Sequence, residues 1–130
     1  MAELARDYSE SLFLGIDLGT FKTSITASNG LRQTVLSVVG WPKDEVSRKM
    51  LGREVIFGSE AMQHRLALNL IRPFERGVIK YSDNSSHTSA EEVANYKEAA
   101  RELVKHVVGL AGPKNGQKVY GVIGAPAQAS

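Results

Sequence analysis

The sequence predicts an α/β domain in which a three-stranded antiparallel meander is followed by one long helix and a further strand. Three observations predict this class. Apolar and β-branched runs separated by turn residues occupy residues 12–40, a helical period occupies residues 88–108, and a largely apolar run occupies residues 118–124. A chain of 130 residues is long enough to bury the core of one such domain.

The first two strands are predicted over residues 12–27, a run rich in Ile, Phe and Thr that is broken by Gly. Four residues are then predicted to lie close together at the tip of this hairpin: Asp17, Gly19, Thr20 and Lys22. Gly lets backbone N–H groups approach an anion, and a concave run of such groups binds phosphate. A carboxylate beside phosphates usually acts through a divalent cation, since two anions repel each other. The tip therefore predicts half of a nucleotide site, with ordinary turn chemistry as the alternative.

Turn signals delimit the third strand of the meander. Asn29-Gly30 predicts a two-residue type I′ turn, because both central residues of that turn need positive φ. The third strand is predicted at residues 34–39 and leads into Gly40. This strand completes the meander.

Residues 41–76 differ in character, since Pro and Gly divide them into short pieces. A brief strand is predicted at residues 54–57, and a short helix follows with Ser59 as its N-cap. The basic residues of this segment are scattered, which is typical of a solvated surface. We interpret the segment as a small insertion packed on the meander, after which residues 77–79 return to the core.

The clearest helix begins at Thr88, which forms a capping box with Glu91. One face then carries apolar residues at steps of three and four: Val93, Tyr96, Ala100, Leu103 and Val107. Lys105 and His106 fall in the predicted last turn, where a positive charge favours the helix dipole, and Gly109 ends the helix.

The last predicted elements are a buried strand over residues 118–124 and a helix that begins at Pro126. An open sheet that ends at this strand would leave the strand poorly covered. Such an edge favours association with another chain.

Composition excludes several classes of protein. Hydrophobic residues make up 42% and charged residues 23% of the chain, as in soluble globular proteins. The net charge of +2 includes no dense basic block, so no nucleic-acid partner is expected. The absence of Cys excludes disulfides and thiolate metal sites, and the three histidines lack metal-ligand spacing. No transmembrane segment or secretory signal is found, which predicts a cytoplasmic location.

The run from Phe13 to Thr20 resembles the first phosphate motif of the superfamily of actin, the heat-shock chaperones and the sugar kinases. Further stretches resemble bacterial actin-like filament proteins, in particular those that organise magnetosome chains: residues 37–44, 51–53, 72–79 and 122–130. The likeness covers nearly the whole chain from Leu12. It implies an actin-like (ribonuclease H-like) N-terminal subdomain with a small inserted subdomain.

The resemblance also implies ATP and Mg²⁺ as cofactors and assigns roles to the hairpin tip. Asp17 would hold the Mg²⁺ of the nucleotide through water. Gly19, Thr20 and Phe21 would line the phosphates with their backbone N–H groups. Lys22 would reach the β- and γ-phosphates as a point charge.

The resemblance further implies a division of the chain. Residues 1–11 would be a flexible lead-in, residues 12–40 and 77–130 an inner subdomain, and residues 41–76 an outer subdomain that contributes to filament contacts. The expected partners are other copies of the protein in a cytoskeletal filament, and magnetosome-associated proteins.

Actin-like relatives carry a second phosphate loop, an adenosine loop and an acidic residue that positions the attacking water, and this chain has none of them. Because phosphoryl transfer needs groups on both sides of the γ-phosphate, we expect no ATP hydrolysis by this chain alone. Three functions remain open. The chain is the N-terminal part of a magnetosome-type actin-like ATPase, a module that binds an actin-like filament without nucleotide, or part of a chaperone or sugar kinase that shares the hairpin.

Overall fold

A computed structural model describes residues 10–75 and 89–125 of the chain. The first part contains eight regular elements and one turn of 3₁₀-helix (Arg65–Ala67), and the second part contains two elements. In chain order the elements are β1 (Leu12–Leu18), β2 (Lys22–Ala27), β3 (Arg32–Leu36), β4 (Val39–Pro42), α1 (Glu45–Leu51), β5 (Ile56–Phe57), α2 (Gly58–Gln63), β6 (Leu68–Ile71), α3 (Ala90–Leu110) and β7 (Val119–Gly124). Three predictions lie outside the described residues: the return to the core at 77–79, the Thr88 cap and the helix start at Pro126.

The first sheet has the strand order β3-β2-β1-β7. β2 is antiparallel to both β1 and β3, whereas β7 is parallel to β1. The predicted meander and further strand are therefore confirmed. Side chains alternate along β1, and its buried members pack against α3: Leu12, Leu14, Ile16 and Leu18.

The turn between β2 and β3 has three residues between the bonded pair Ala27 and Leu31, and not the two predicted. The Ala27 N–H donates to the Leu31 carbonyl, and the Gly30 N–H donates to the Ala27 carbonyl. Gly30 has a φ of 97°, which suits the left-handed position at the end of a three-residue hairpin loop. The Asn29 side chain donates to the Ala111 carbonyl at 2.7 Å, so a long-range contact joins the turn to the end of α3.

The predicted third strand, residues 34–39, is divided between two sheets. β3 ends at Leu36, and Val39 begins β4, which lies in the middle of a second sheet of order β5-β4-β6. Val38 packs in a separate apolar cluster with Ile56 and Leu68. The chain leaves the first sheet here because its apolar residues belong to two different cores.

The insertion contains more regular structure than predicted. The strand at 54–57 shrinks to two residues, and α2 begins at Gly58, so the prediction of Ser59 as N-cap is wrong. Gly58 has a φ of +64°, which turns the chain directly into the helix. Helix α1 and strand β6 were not predicted. The signals for α1 were present, because Asp44 caps the Ser47 N–H at 2.8 Å and Gly52 ends the helix with a φ of 68°.

Helix α3 begins one position later than predicted. The Glu92 N–H donates to Ser89 Oγ at 3.0 Å, and the Glu92 carboxylate accepts from the Ser89 N–H, so the capping box is Ser89–Glu92. Both registers of the motif are present in the sequence, and the helix uses the second. The helix buries four side chains: Val93, Ala99, Leu103 and Val107. Two residues of the predicted face are only half-buried: Tyr96 and Ala100.

The end of α3 also lies beyond its predicted position. The helix passes through Gly109 and ends at Leu110, and Gly112 then adopts a left-handed φ of 66°. Lys105 and His106 therefore precede the last turn, and the prediction that they complement the helix dipole there is wrong.

Strand β7 is exposed along its whole length, so the predicted burial of residues 118–124 is wrong. The core over β1 contains residues of β1, β2 and α3, and no residue of β7 belongs to it. β7 has β1 as its one neighbour among the described strands. Among the described strands β7 therefore lies at an edge of the first sheet. Within residues 10–75 and 89–125, no helix is both long and apolar enough to cross a bilayer.

His106 gives the fold a pH dependence. Its ring stacks on Phe57 with a centroid separation of 4.1 Å, and burial lowers the pKa of His106. As pH falls, the unfolded chain takes up this proton first, near its ordinary pKa of about 6.5, so the folded state loses stability below that pH. Urea denaturation should therefore show a less stable wild type at about pH 5.5 than at about pH 7.5.

The variant His106→Gln should lose most of this difference, because Gln does not titrate. Asp44 and Glu60 do not interfere: hydrogen bonds from Ser47 and Arg53 lower the pKa of their carboxyls, and their stabilisation is lost only below about pH 4. Equal pH dependence in wild type and variant would contradict this assignment.

Candidate functional site

The predicted site residues lie together where β1 meets β2. β1 ends at Leu18 and β2 begins at Lys22, so Gly19, Thr20 and Phe21 form the tip. Gly19 is required by close packing, since a Cβ at this position would lie 2.3 Å from the backbone oxygen of Lys22. The backbone at residues 19 and 22 therefore approaches too closely for any residue other than Gly at position 19.

Asp17 is exposed near the end of β1 and has small neighbours across the sheet. Its partners in register are Ser24 on β2 and Gly124 on β7. Side chains of paired residues lie on one face of a sheet, and residues two apart share that face, so Asp17 and Lys22 lie on the same face. They form no ion pair with each other. The carboxylate and the ammonium therefore flank the tip as separate charges.

Backbone groups of the tip divide into bonded carbonyls and unbonded donors. The Gly19 carbonyl accepts from Ser37 Oγ, and the Phe21 carbonyl accepts from the Ser37 N–H, both at 2.8 Å. No hydrogen bond between described residues uses the backbone N–H of Thr20 or Phe21. The tip thus offers N–H donors next to one cation and one carboxylate.

Two buried hydroxyls beneath the tip were missed by the sequence analysis. Thr23 Oγ1 and Ser37 Oγ lie 2.8 Å apart, and both residues are 0% exposed. A signal for Ser37 was present, because it is the polar residue in the apolar run Leu36-Ser37-Val38-Val39. Buried polar groups in such a run need a partner, and here the partner is the hairpin tip.

Apolar side chains cover part of the same outer face of the sheet. Phe13 on β1 stacks on Tyr120 on β7 with centroids 5.4 Å apart. Val122 is 76% exposed, and Phe21 at the tip is 65% exposed. This face therefore combines the polar tip with an apolar surface.

The chemistry of the tip fits a polyphosphate with a divalent cation. Backbone N–H groups and the Lys22 ammonium suit phosphate oxygens, and the exposed Asp17 carboxylate suits a hard cation. No group of three or more His, Asp or Glu side chains gathers within the described segments. A Mg²⁺ ion would thus depend on Asp17 together with phosphate and water, which is how Mg²⁺ is often bound.

Comparison with known proteins points to one group of relatives. No protein-family model matches the chain. In sequence it is 40% identical over 130 residues to the actin-like protein MamK of Magnetospirillum gryphiswaldense and 39% identical to MamK of Paramagnetospirillum magneticum. These matches cover 100% of this chain and 33% and 35% of the relatives. The chain therefore spans about a third of the length of the curated relatives it matches.

Solved structures give the same result. A non-polymerising MamK mutant bound to AMPPNP superposes with a TM-score of 0.76 at 40% identity, and a MamK double helical filament with 0.75 at 39%. Each covers 92% of this chain and 34% of the solved chain. The structure of MreB5 of Spiroplasma citri bound to ADP superposes with a TM-score of 0.54 at 15% identity. The superposition covers 92% of this chain and 31% of the MreB5 chain, and it supports the fold alone.

Proposed function

The chain is MamK-like along its whole length and has the actin-like fold, and on that premise we propose that it holds the phosphates of ATP in an actin-like filament protein. The observation that carries the proposal is the hairpin tip, where unbonded N–H groups lie next to Lys22 and Asp17 on one face of the sheet. A MamK structure with AMPPNP supports the choice of nucleotide.

Each residue of the tip has a separate role in this proposal. Thr20 and Phe21, with Gly19, direct backbone N–H groups to phosphate oxygens. Lys22 adds a positive charge, which attracts the same oxygens without fixed geometry. Asp17 holds Mg²⁺ through water, and the bound ion neutralises charge on the phosphates.

The wider role follows from the relatives. We propose self-association into filaments, as the MamK filament structures support, and a function in organising magnetosome chains. The two sheets support an inner subdomain of residues 12–40 and 77–130 and an outer subdomain of residues 41–76, with β4 crossing the boundary between them. Magnetosome-associated proteins would then be partners of the filament.

Titration of the ¹⁵N-labelled chain with Mg²⁺·ATP tests the proposal. Amide shifts should concentrate at residues 17–24, and the dissociation constant should be no tighter than millimolar, about −4 kcal/mol, because one hairpin supplies one side of a phosphate clamp. Removal of Mg²⁺ should weaken binding, and Asp17→Asn should abolish this Mg²⁺ dependence.

Glu45→Gln is the matched control, since it removes an exposed carboxylate in the first turn of α1, outside the hairpin. Shifts spread over the whole chain, or an unchanged Mg²⁺ dependence in Asp17→Asn, would contradict the phosphate site. The alternative of a nucleotide-independent module that binds an actin-like filament through residues 41–76 and the exposed β7 edge would then be favoured. A micromolar constant would show that one hairpin suffices.

A further inference from the structure

We propose that Ser37 is a positioning residue that fixes the Gly19 and Phe21 carbonyls and so turns the Thr20 N–H of the hairpin tip towards the bound anion. The inference rests on the proposed phosphate site and adds a residue outside the hairpin itself. Ser37 lies between the two sheets, after β3 and before β4. It reaches the tip from beneath.

Ser37 holds two carbonyls of the tip at once. Its hydroxyl donates to the Gly19 carbonyl and its backbone N–H donates to the Phe21 carbonyl, each at 2.8 Å. The described chain has no cis peptide bond. In a trans peptide the C=O of one residue and the N–H of the next point in opposite directions. The hydroxyl contact therefore directs the N–H of Thr20, one of the two unbonded donors of the tip, away from Ser37. The backbone contact does the same for the N–H of Lys22 at the start of β2.

Counting the available hydroxyl protons shows which residue donates in the hydrogen bond between Thr23 and Ser37. A carbonyl can only accept, so the single hydroxyl proton of Ser37 is used on Gly19. The 2.8 Å contact between Ser37 and Thr23 must then be donated by the Thr23 hydroxyl. The result is a chain of hydrogen bonds from Thr23 through Ser37 to the tip, with each bond polarising the next.

Burial makes this support rigid. Thr23 and Ser37 are both 0% exposed, so water does not compete for their hydroxyls. Gly19 leaves no free space at the tip, because the Lys22 carbonyl lies where a Cβ would be. The tip is thus held by Ser37, while the Phe21 side chain at the tip is 65% exposed.

Two variants test whether Ser37 positions the hairpin tip or only provides a hydrogen-bond partner for a buried polar group. Ser37→Ala removes the bond to the Gly19 carbonyl. Thr23→Val removes an equally buried hydroxyl but leaves the hydrogen bond from the Ser37 hydroxyl to the Gly19 carbonyl. Both lower the denaturation midpoint, and only Ser37→Ala should free the tip.

The measurement is ¹⁵N relaxation at residues 19–22, together with Mg²⁺·ATP titration, on the full chain. In Ser37→Ala we expect lower heteronuclear NOE values at Thr20 and Phe21, and binding about tenfold weaker. Thr23→Val should retain the wild-type relaxation and bind within about twofold. Should Ser37→Ala not fold, Ser37→Cys provides the test, since a thiol is a weak donor in the same place.

The outcomes distinguish this inference from the proposed function. Loss of tip order in Ser37→Ala, with no Mg²⁺·ATP binding by wild type, would refute the phosphate site and leave the positioning of the tip intact. Wild-type binding that is equally strong in Ser37→Ala, with an equally ordered tip, would refute the role of Ser37. Equal losses of tip order and of Mg²⁺·ATP binding in Ser37→Ala and Thr23→Val would mean that both residues act only through the stability of the fold. That result would also overturn the inference.

Discussion

Gly19→Ala should destabilise the chain by about 2–3 kcal/mol and remove phosphate binding at the hairpin tip. The added Cβ would lie 2.3 Å from the Lys22 carbonyl oxygen, which is backbone and cannot rotate away as a side chain does. The tip would have to open, and the Gly19 carbonyl would then leave Ser37. Urea denaturation measures the loss of stability, and Mg²⁺·ATP titration measures the loss of binding.

Gly109→Ala is the matched control for this prediction. Gly109 lies within α3, and a Cβ there would meet nothing within 4 Å. Because Ala favours helix over Gly, this variant should be more stable by up to about 1 kcal/mol. If Gly19→Ala had the same urea midpoint as the wild type, the close approach between position 19 and the Lys22 carbonyl would not constrain the fold.

Leu103→Ala should destabilise the chain by about 3 kcal/mol, the usual result of deleting a buried Leu side chain. Leu103 is 0% exposed on α3 and belongs to a cluster with Val39 of β4 and Ala99. The cavity would therefore open between the helix and the second sheet. The change in urea midpoint at constant slope measures this loss.

Leu66→Ala provides the comparison. Leu66 is 82% exposed in the 3₁₀ turn before β6, so its truncation should change stability by less than about 0.5 kcal/mol. Comparable losses in the two variants would mean that Leu103 does not belong to a closed core.

Local patterns predicted the hairpin and the helix well. The alternation along β1 and the three- and four-residue steps along α3 each report which face of one element is apolar. The five residues assigned to the site from Asp17 to Lys22 are nearly consecutive, so a hairpin necessarily brings them together. Their proposed roles in binding await the titrations described above.

Boundaries were less predictable, because neighbouring signals compete. Thr88 and Ser89 both offer a cap with a Glu three residues later, and the helix uses Ser89. Asn29-Gly30 suggests a two-residue turn, but the Asn29 contact with Ala111 accompanies a three-residue loop. The Asn29 contact joins residues far apart in the chain, so the turn residues alone do not specify the loop conformation.

The sequence by itself determined the meander, the long helix, the presence of the further strand and the location of the candidate phosphate tip. Each depends on residues close together along the chain, through side-chain period or turn chemistry. Only the tertiary structure decided that residues 34–39 divide between two sheets, and that Ser37 at this division supports Gly19. An apolar run does not encode which core will bury it, since burial depends on residues far away, and the partner of a buried hydroxyl is defined only when the two sheets meet.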